Sequence, residues 1–459
     1  MHRTISIAIL LAASALPARS EAQTQTDPPS DKVERRRKGV VFHAELQNLF
    51  LWRSDTDFDG SEPEYNLDGQ SSGAFATVLR PTLTWHITGN LRIHYEAELG
   101  LNYWSKNNPD QQDMLQPDVF VMKHRELWGS GEFENEAGYK LGYGRFKDPT
   151  GLFINHWIGA GQVWFSWDED TRLGLFVGQV PDATHEGISV TDNNFTRDIF
   201  VYGARWDWAI DRSWKLATAF HALYDGHLGG QERWLLIPSV HVEAGREEMK
   251  LSVDAMLQHG QAEGMTPDGH IQTLLAWAAQ GHFHYSITEH LKLWPSSVDV
   301  NVLVESPDDA HPDNGMQHAF TASGKNGSAT IMLSEDEIRD WYDNHDERFG
   351  SFRNGFFINR AGLFLADVKA TWMVDEDSFH QHLVLGVASV LKPANAMDAA
   401  FAGFECDLIS EFRIHDYAIA MLAFGVLVPG GAAAALVNTI DRDATEPIWT
   451  TEISVMLRY

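Results

Sequence analysis

The sequence predicts an all-β protein: a single-chain, antiparallel, up-and-down barrel of about eighteen strands that crosses a membrane. Three observations predict it. Polar and apolar residues alternate with a period of two in stretch after stretch, which puts successive side chains on opposite faces of a strand. The joints between these stretches are alternately short and long, as in a barrel with tight turns at one rim and extended loops at the other. Composition then excludes a helical membrane protein. Charged residues make up 22% of the 459 and mean hydropathy is −0.27, values too polar for a bundle of spanning helices. Aromatics at 11%, with 16 Trp and 37 Gly, suit interfacial rings and a strand-rich wall.

Residues 1–22 read as a secretory signal peptide. His2 and Arg3 precede an apolar run from Ile5 to Leu16, and Ser20-Glu21-Ala22 offers small residues before a cut at Gln23. The run is too short for an anchor, and no cysteine follows it as a lipoprotein would need. Residues 23–38 are polar, with two prolines, and read as a disordered periplasmic tail. Its cluster Arg35-Arg36-Arg37-Lys38 reads as a solvated flank of the first strand; the alternatives are a grip on anionic headgroups or cell-wall polymer, or a tuck into the lumen mouth.

The barrel is expected over 39–459. Phe42, Ala44 and Leu46 alternate with His43, Glu45 and Gln47; Phe75 to Ile87 then keep the same period, with Arg80, Thr82, Thr84 and His86 on the other side. Gly89-Asn90 is a hairpin signal. After it Leu91, Ile93, Tyr95, Ala97, Leu99, Leu101 and Tyr103 oppose Arg92, His94, Glu96, Glu98 and Asn102. Further strands start near Phe200, Trp214, Trp234, Met249, Val298, Phe364 and Phe404, each with apolar residues on one parity. Less regular strands are expected over 121–134, 137–147, 160–168, 171–180, 269–287, 377–391 and 416–428. In 137–147 strict parity sets Arg145 beside Tyr139 and Tyr143, which calls for a bulge or a different register. In the last strand Trp449, Thr451, Ile453, Val455, Leu457 and Tyr459 oppose Ile448, Thr450, Glu452, Ser454, Met456 and Arg458.

Short joints are expected at 89–90, 135–136, 169–170, 211–213, 244–247, 288–290, 374–377 and 415–416. Long ones are expected at 53–72, 104–118, 148–159, 181–197, 225–232, 260–268, 305–358, 392–403 and 429–446. A soluble sandwich predicts no such alternation. An even strand number brings both ends to the periplasmic rim and pairs the last strand with the first, which removes exposed edges.

Signal peptide, amphipathic strands and a final strand ending in an aromatic residue resemble the Gram-negative outer-membrane porins over essentially the whole mature chain. Within that class, the strand running into Gly144-Arg145, the aromatic segment from Trp157 to Trp167 and Asp198-Ile199-Phe200-Val201-Tyr202-Gly203-Ala204-Arg205-Trp206 resemble the alginate-export type of barrel. That resemblance implies an exporter of anionic polymer with a strongly basic lumen, and the inward residues here are mixed. The porin resemblance also implies that Tyr459 is read by the barrel-assembly machinery, and that the surroundings are outer-membrane lipid and lipopolysaccharide.

The candidate functional residues are the inward parity: Arg80, Arg92, His94, Glu96, Glu98, Arg205, Asp207, Lys250, Asp254, Asp299, Asp367, Lys369, Glu405, Asp407, Glu411 and Arg413. Lining a wet interior, opposed charges order water and favour polar solutes. The bland reading is that many pair along the wall and only stabilise it. The longest loop, 305–358, is a candidate constriction, because Ser334-Glu335-Asp336-Glu337 followed by Ile338, Trp341 and Tyr342 reads as a capped short helix. It would fold into the pore or lie on the rim. Asp55, Asp57 and Asp59, followed by Gly60, space oxygen ligands as calcium loops do, but Asn66 stands where a bidentate Glu is expected. Ca2+ there competes with a plain acidic loop; no other cofactor is expected.

With 35 basic and 64 acidic residues the net charge is −29, which argues against a nucleic-acid partner. The single cysteine, Cys406, excludes an internal disulfide framework. No His-Glu-x-x-His occurs, and with 21 His and many Asp and Ser residues chance pairings of nucleophile and base are plentiful, so no enzyme is expected. The sequence thus points to a channel passing a polar small molecule or oligosaccharide. The alternative is a surface receptor whose acidic loops bind a ligand, cation or neighbouring cell while the pore stays shut.

Overall fold

The computed structural model describes residues 39–54, 72–101, 120–133, 136–168, 170–180, 199–225, 233–246, 248–263, 271–287, 294–307, 316–317, 329–333, 362–375, 378–414, 417–437 and 445–459. The strands are β1 (Gly39–Arg53), β2 (Ser72–His86), β3 (Leu91–Leu101), β4 (Phe120–Phe133), β5 (Ala137–Lys147), β6 (Asn155–Ser166), β7 (Thr171–Val180), β8 (Ile199–Asp211) and β9 (Trp214–Asp225). They continue with β10 (Arg233–Arg246), β11 (Met249–Glu263), β12 (Ile271–Ser286), β13 (Ser297–Glu305), the two-residue β14 (Met316–Gln317), β15 (Leu363–Asp375), β16 (Phe379–Ser389), β17 (Phe401–Ile414), β18 (Ala418–Pro429) and β19 (Ile448–Arg458). One short helix, α1 (Gly431–Val437), precedes β19.

All but β14 form one closed antiparallel wall. Each strand pairs with its neighbour in the chain, β13 passes directly to β15, and β19 returns to β1. The wall therefore has 18 strands, and β14 lies outside it, adding in parallel to Thr273 and Leu274 of β12. Closure is a full ladder from Glu45↔Arg458 to Arg53↔Thr450. It extends past the strand ends, where Ala44 and Tyr459 exchange backbone hydrogen bonds of 3.0 and 2.8 Å.

The apolar parity faces outward. Leu127 is 54% exposed, Leu141 65% and Phe220 49%, values that no aqueous surface would choose for row after row. Outward rings gather towards both rims: Trp85, Trp167, Trp208, Trp214, Tyr285 and Tyr459 near the short turns; Trp52, Trp234, Phe401 and Trp449 near the long loops. Strands of 9 to 16 residues are long enough for a tilted crossing.

The alternation of joints is as expected, with two changes. β6 begins at Asn155 rather than 160, because Ile158 points inward and is fully buried, so its apolar side chain breaks the polar-inside pattern. The joint expected at 288–290 runs from Ser286 to Ser297. The parity question in β5 resolves without a bulge there. β5 and β6 pair without a shift from Ala137↔Phe165 to Lys147↔Asn155, so Arg145 keeps the parity of Tyr143. The bulge sits in β4, where the register shifts after Glu96↔Glu126 to Ala97↔His124. Arg125 and Glu126 consequently both turn inward, while Leu127 on one side and His124 on the other stay exposed.

The interior is divided. In the half nearer the long loops, β8 to β16 turn many apolar side chains inward: Val201, Leu223, Leu235, Ile237, Met256, Leu274, Leu303, Leu365 and Val384 are all buried. They pack on chain that folds in from the loop rim, namely Leu152-Phe153-Ile154, Ala329 to Leu333, and Ala432-Ala433 of α1. This core lies inside the barrel, where burial of hydrocarbon holds the loops against the wall.

Candidate functional site

The inner face towards the short turns is polar, and its charges form ladders between adjacent strands. Across β1 to β4, Arg80 Nη1 reaches Glu45 Oε1 at 3.4 Å and its Nε donates to Glu98 Oε2 at 3.1 Å. Arg125 donates to the same Glu98 from Nε and Nη2, at 2.9 and 2.7 Å. Arg458 Nε closes the ladder on Glu45 from the other side of the seam, at 3.3 Å. Beside it, His94 stacks on Trp128 at 4.7 Å and lies 3.7 Å from Glu126. Lys140 and Arg92 approach the same indole at 4.4 and 5.3 Å, and Arg92 Nε donates to Ser130 Oγ at 2.9 Å. Glu96 stands opposite Glu126 in the β3–β4 register.

A second ladder runs across β9 to β16. Lys215 and Lys250 flank Glu243 at 3.0 and 2.7 Å. His241 Nδ1 is 2.7 Å from Asp254, while His284 and His282 converge on Asp299 at 2.7 and 3.3 Å. Asn301 Nδ2 donates to Asp367 at 2.8 Å, Lys369 pairs in register with Asp299, and Thr371 meets His382 at 2.9 Å. Arg205 is bound to Asp207 two residues along the same strand, at 2.6 Å, and Arg413 to Glu411 likewise at 2.7 Å. Between β5 and β9 the wall is bared by Gly142, Gly174 and Gly203, leaving a small cleft edged by Lys140, Lys147 and Arg205.

All sixteen residues singled out from the sequence stand on the inner face. They do not form opposed rows; most meet a partner on a neighbouring strand. Four are also out of reach of water: Asp254, Asp367, Glu405 and Asp407 are each less than 5% exposed. For Glu405 and Asp407 the cover is the inserted loop. Ile331 N–H donates to Glu405 Oε1 and Asp407 Oδ2 at 2.8 and 3.0 Å; Met332 and Leu333 N–H both donate to Glu405 at 2.6 Å. The expected wet lining is therefore wrong for this pair, because backbone donors replace the water that a charged group otherwise needs.

Sequence parity missed Arg125, Glu126 and Lys140, the first two because the β4 bulge breaks the alternation. It also passed over Asp148, whose carboxylate accepts from the backbone of Thr150, Phe153 and Ile154 at 3.0, 3.1 and 2.9 Å and so shapes the loop that enters the barrel. Asp55, Asp57 and Asp59, the helix expected around Ser334 to Tyr342, and residues 1–38 lie outside the described residues. Among the described residues, no group of three or more His, Cys, Asp or Glu side chains is placed to hold a metal ion.

No protein-family description matches the chain, and no curated protein matches it. Solved structures do. OccK8 (OprE) of Pseudomonas aeruginosa aligns with a TM-score of 0.55 and 11% identity over 92% of this chain and 98% of its own. OccAB4 of Acinetobacter baumannii gives 0.56 and 9% over 94% and 100%. The outer membrane protein OpdK of P. aeruginosa gives 0.53 and 11% over 92% and 99%. At such identities the likeness is one of fold, and it extends over the whole wall.

Proposed function

We propose that this chain is a channel of a Gram-negative outer membrane, passing polar solutes passively through a charged, partly constricted lumen. One observation carries the reading: a closed wall of 18 strands is apolar outside and laddered with charge inside. An apolar exterior needs lipid, and a polar interior of that circumference needs water. The similar fold of OpdK, an outer membrane protein, supports the location. Short turns then face the periplasm and long loops the outside. No catalytic role is assigned to any residue. The remaining partners are lipopolysaccharide around the outer half and the barrel-assembly machinery.

Export of an anionic polymer, as the alginate-export type would require, is a narrower version of this reading. The inner face weighs against it. Glu45, Glu98, Glu126, Glu243 and Asp299 stand among the arginines and lysines, so a polyanion would meet carboxylates at each level of the ladders.

The test is conductance of the purified protein in planar bilayers with a salt gradient. Stable open steps are expected, with a reversal potential showing modest cation preference, because fixed carboxylates attract counter-cations. A marked anion preference would contradict the assigned lining. Folded protein that gives no steps, while its loops bind a ligand or cation tightly, would replace the channel by the receptor reading.

A further inference from the structure

The long joint between β13 and β15 sends Ala329–Leu333 into the barrel, where all five residues are buried. Three consecutive backbone N–H groups, those of Ile331, Met332 and Leu333, converge on Glu405. Successive peptides point the same way only where the chain bends, the arrangement by which helix N-termini and backbone nests hold anions. Here the anion belongs to the protein itself. The wall is shaped to match. Gly386, Gly403 and Gly425 lie on three adjacent strands: a Cβ at Gly386 would run into the Thr330 methyl, one at Gly425 into the Asp407 carboxylate, and one at Gly403 would meet Leu427 first and touch Leu333 at 3.7 Å.

From this geometry we infer that Glu405, with Asp407 beside it, is the residue that positions the inner segment and thereby sets the size limit for solutes. The inference rests on the channel reading above. The segment occupies cross-section that would otherwise be lumen, and a pore's cut-off and conductance follow its narrowest level. The carboxyl oxygens of Glu405 accept from each of the three backbone donors aimed at them. A glutamine of the same shape presents an NH2 where one oxygen was, and that NH2 faces an N–H donor, so the clamp loses at least one bond and gains a repulsion.

The test is E405Q, with a lock to reverse it. In a C406A background, T330C/G386C places two cysteines whose Cβ atoms would be 3.6 Å apart, within disulfide range. E405Q is expected to raise single-channel conductance about 1.5-fold or more, with flicker, and to admit larger uncharged poly(ethylene glycol)s. Oxidising T330C/G386C in the same chain is expected to restore the original level, and a reductant to release it. Folded E405Q with unchanged conductance and exclusion limit would overturn the inference, as would a lock that forms without lowering conductance. Should E405Q fail to fold, E405D decides: its shorter side chain draws the carboxylate away from the three donors, so conductance is expected to rise and oxidised T330C/G386C to restore it, and unchanged conductance overturns the inference. A failure of the channel reading looks different, since the unaltered protein would then conduct nothing. In that case M332C reports the clamp directly. It should resist a small aqueous thiol reagent, and become reactive when combined with D407N and E405Q; equal labelling would sink the proposal.

Discussion

Glu98 shows how one inward residue serves two purposes. Its carboxylate is shared by Arg80 and Arg125, so it both ties β2, β3 and β4 together and cancels charge at that level of the lumen. E98Q leaves two guanidinium groups facing a neutral amide. The expected result is a reversal potential moved towards anions, and a loss of roughly 1–3 kcal/mol of unfolding free energy, typical of hydrogen bonds to charged groups. Salt-gradient recordings and denaturant titration in detergent measure the two separately. Glu98, Arg80, Arg92 and His94 were legible in the sequence because a period of two assigns each to a face with no knowledge of its neighbours. Arg125 was not, since a bulge is a local exception to that period. Glu405 was legible as inward but not as covered: its donors lie more than seventy residues upstream, in Ile331 to Leu333, where no period of two links them to the wall.

Among the elements, β5 separates the two environments most clearly. Leu141 is the most exposed of its side chains, near the middle of the strand, while Lys140 beside it faces the lumen and the Trp128 ring. Leu141→Arg should cost about 2–4 kcal/mol of stability in lipid, the penalty for a cation near the bilayer midplane. Lys140→Gln should leave folding nearly unchanged and lower the positive charge of the lumen; folding yield into lipid vesicles compares them. If both are tolerated equally, the outward assignment of β5 is wrong. Strand positions were readable throughout, but the apolar inward residues of β8 to β18 were not recognised for what they are. The outward row satisfied the pattern, so Leu235, Ile237, Leu274 and Leu365 went unremarked on the opposite parity. A second apolar parity in the loop-side half of consecutive strands is the signal for an internal core, and it is visible in the sequence once both faces are counted.

For the whole molecule, closure carries the most weight, and the last strand contributes to it through backbone rather than side chain. Tyr459 exchanges two backbone hydrogen bonds with Ala44, yet its ring is 85% exposed. Tyr459→Ala should therefore refold in detergent as well as the unaltered chain, while its assembly in cells falls several-fold if the ring is the mark read by the assembly machinery. Heat-modifiable mobility on gels scores both. Equal assembly in cells would remove the ring from that role.

The seam between β19 and β1 has one more consequence. Each other joint of the wall follows the order of the chain, and this one alone joins its two ends: Glu45↔Arg458 at one rim, Arg53↔Thr450 at the other. Where a chain starts is thus arbitrary with respect to the wall it builds. Bridging Tyr459 to Gly39 with a loop long enough to span residues 39–43, which β1 extends beyond Tyr459's partner Ala44, and opening the chain within 226–232 would convert the seam into an ordinary joint and make β9 and β10 the new meeting ends. The rearranged chain should build the same cylinder, with the same interior core and ladders. The origin of the polypeptide is a matter of its synthesis, and the ring itself has none.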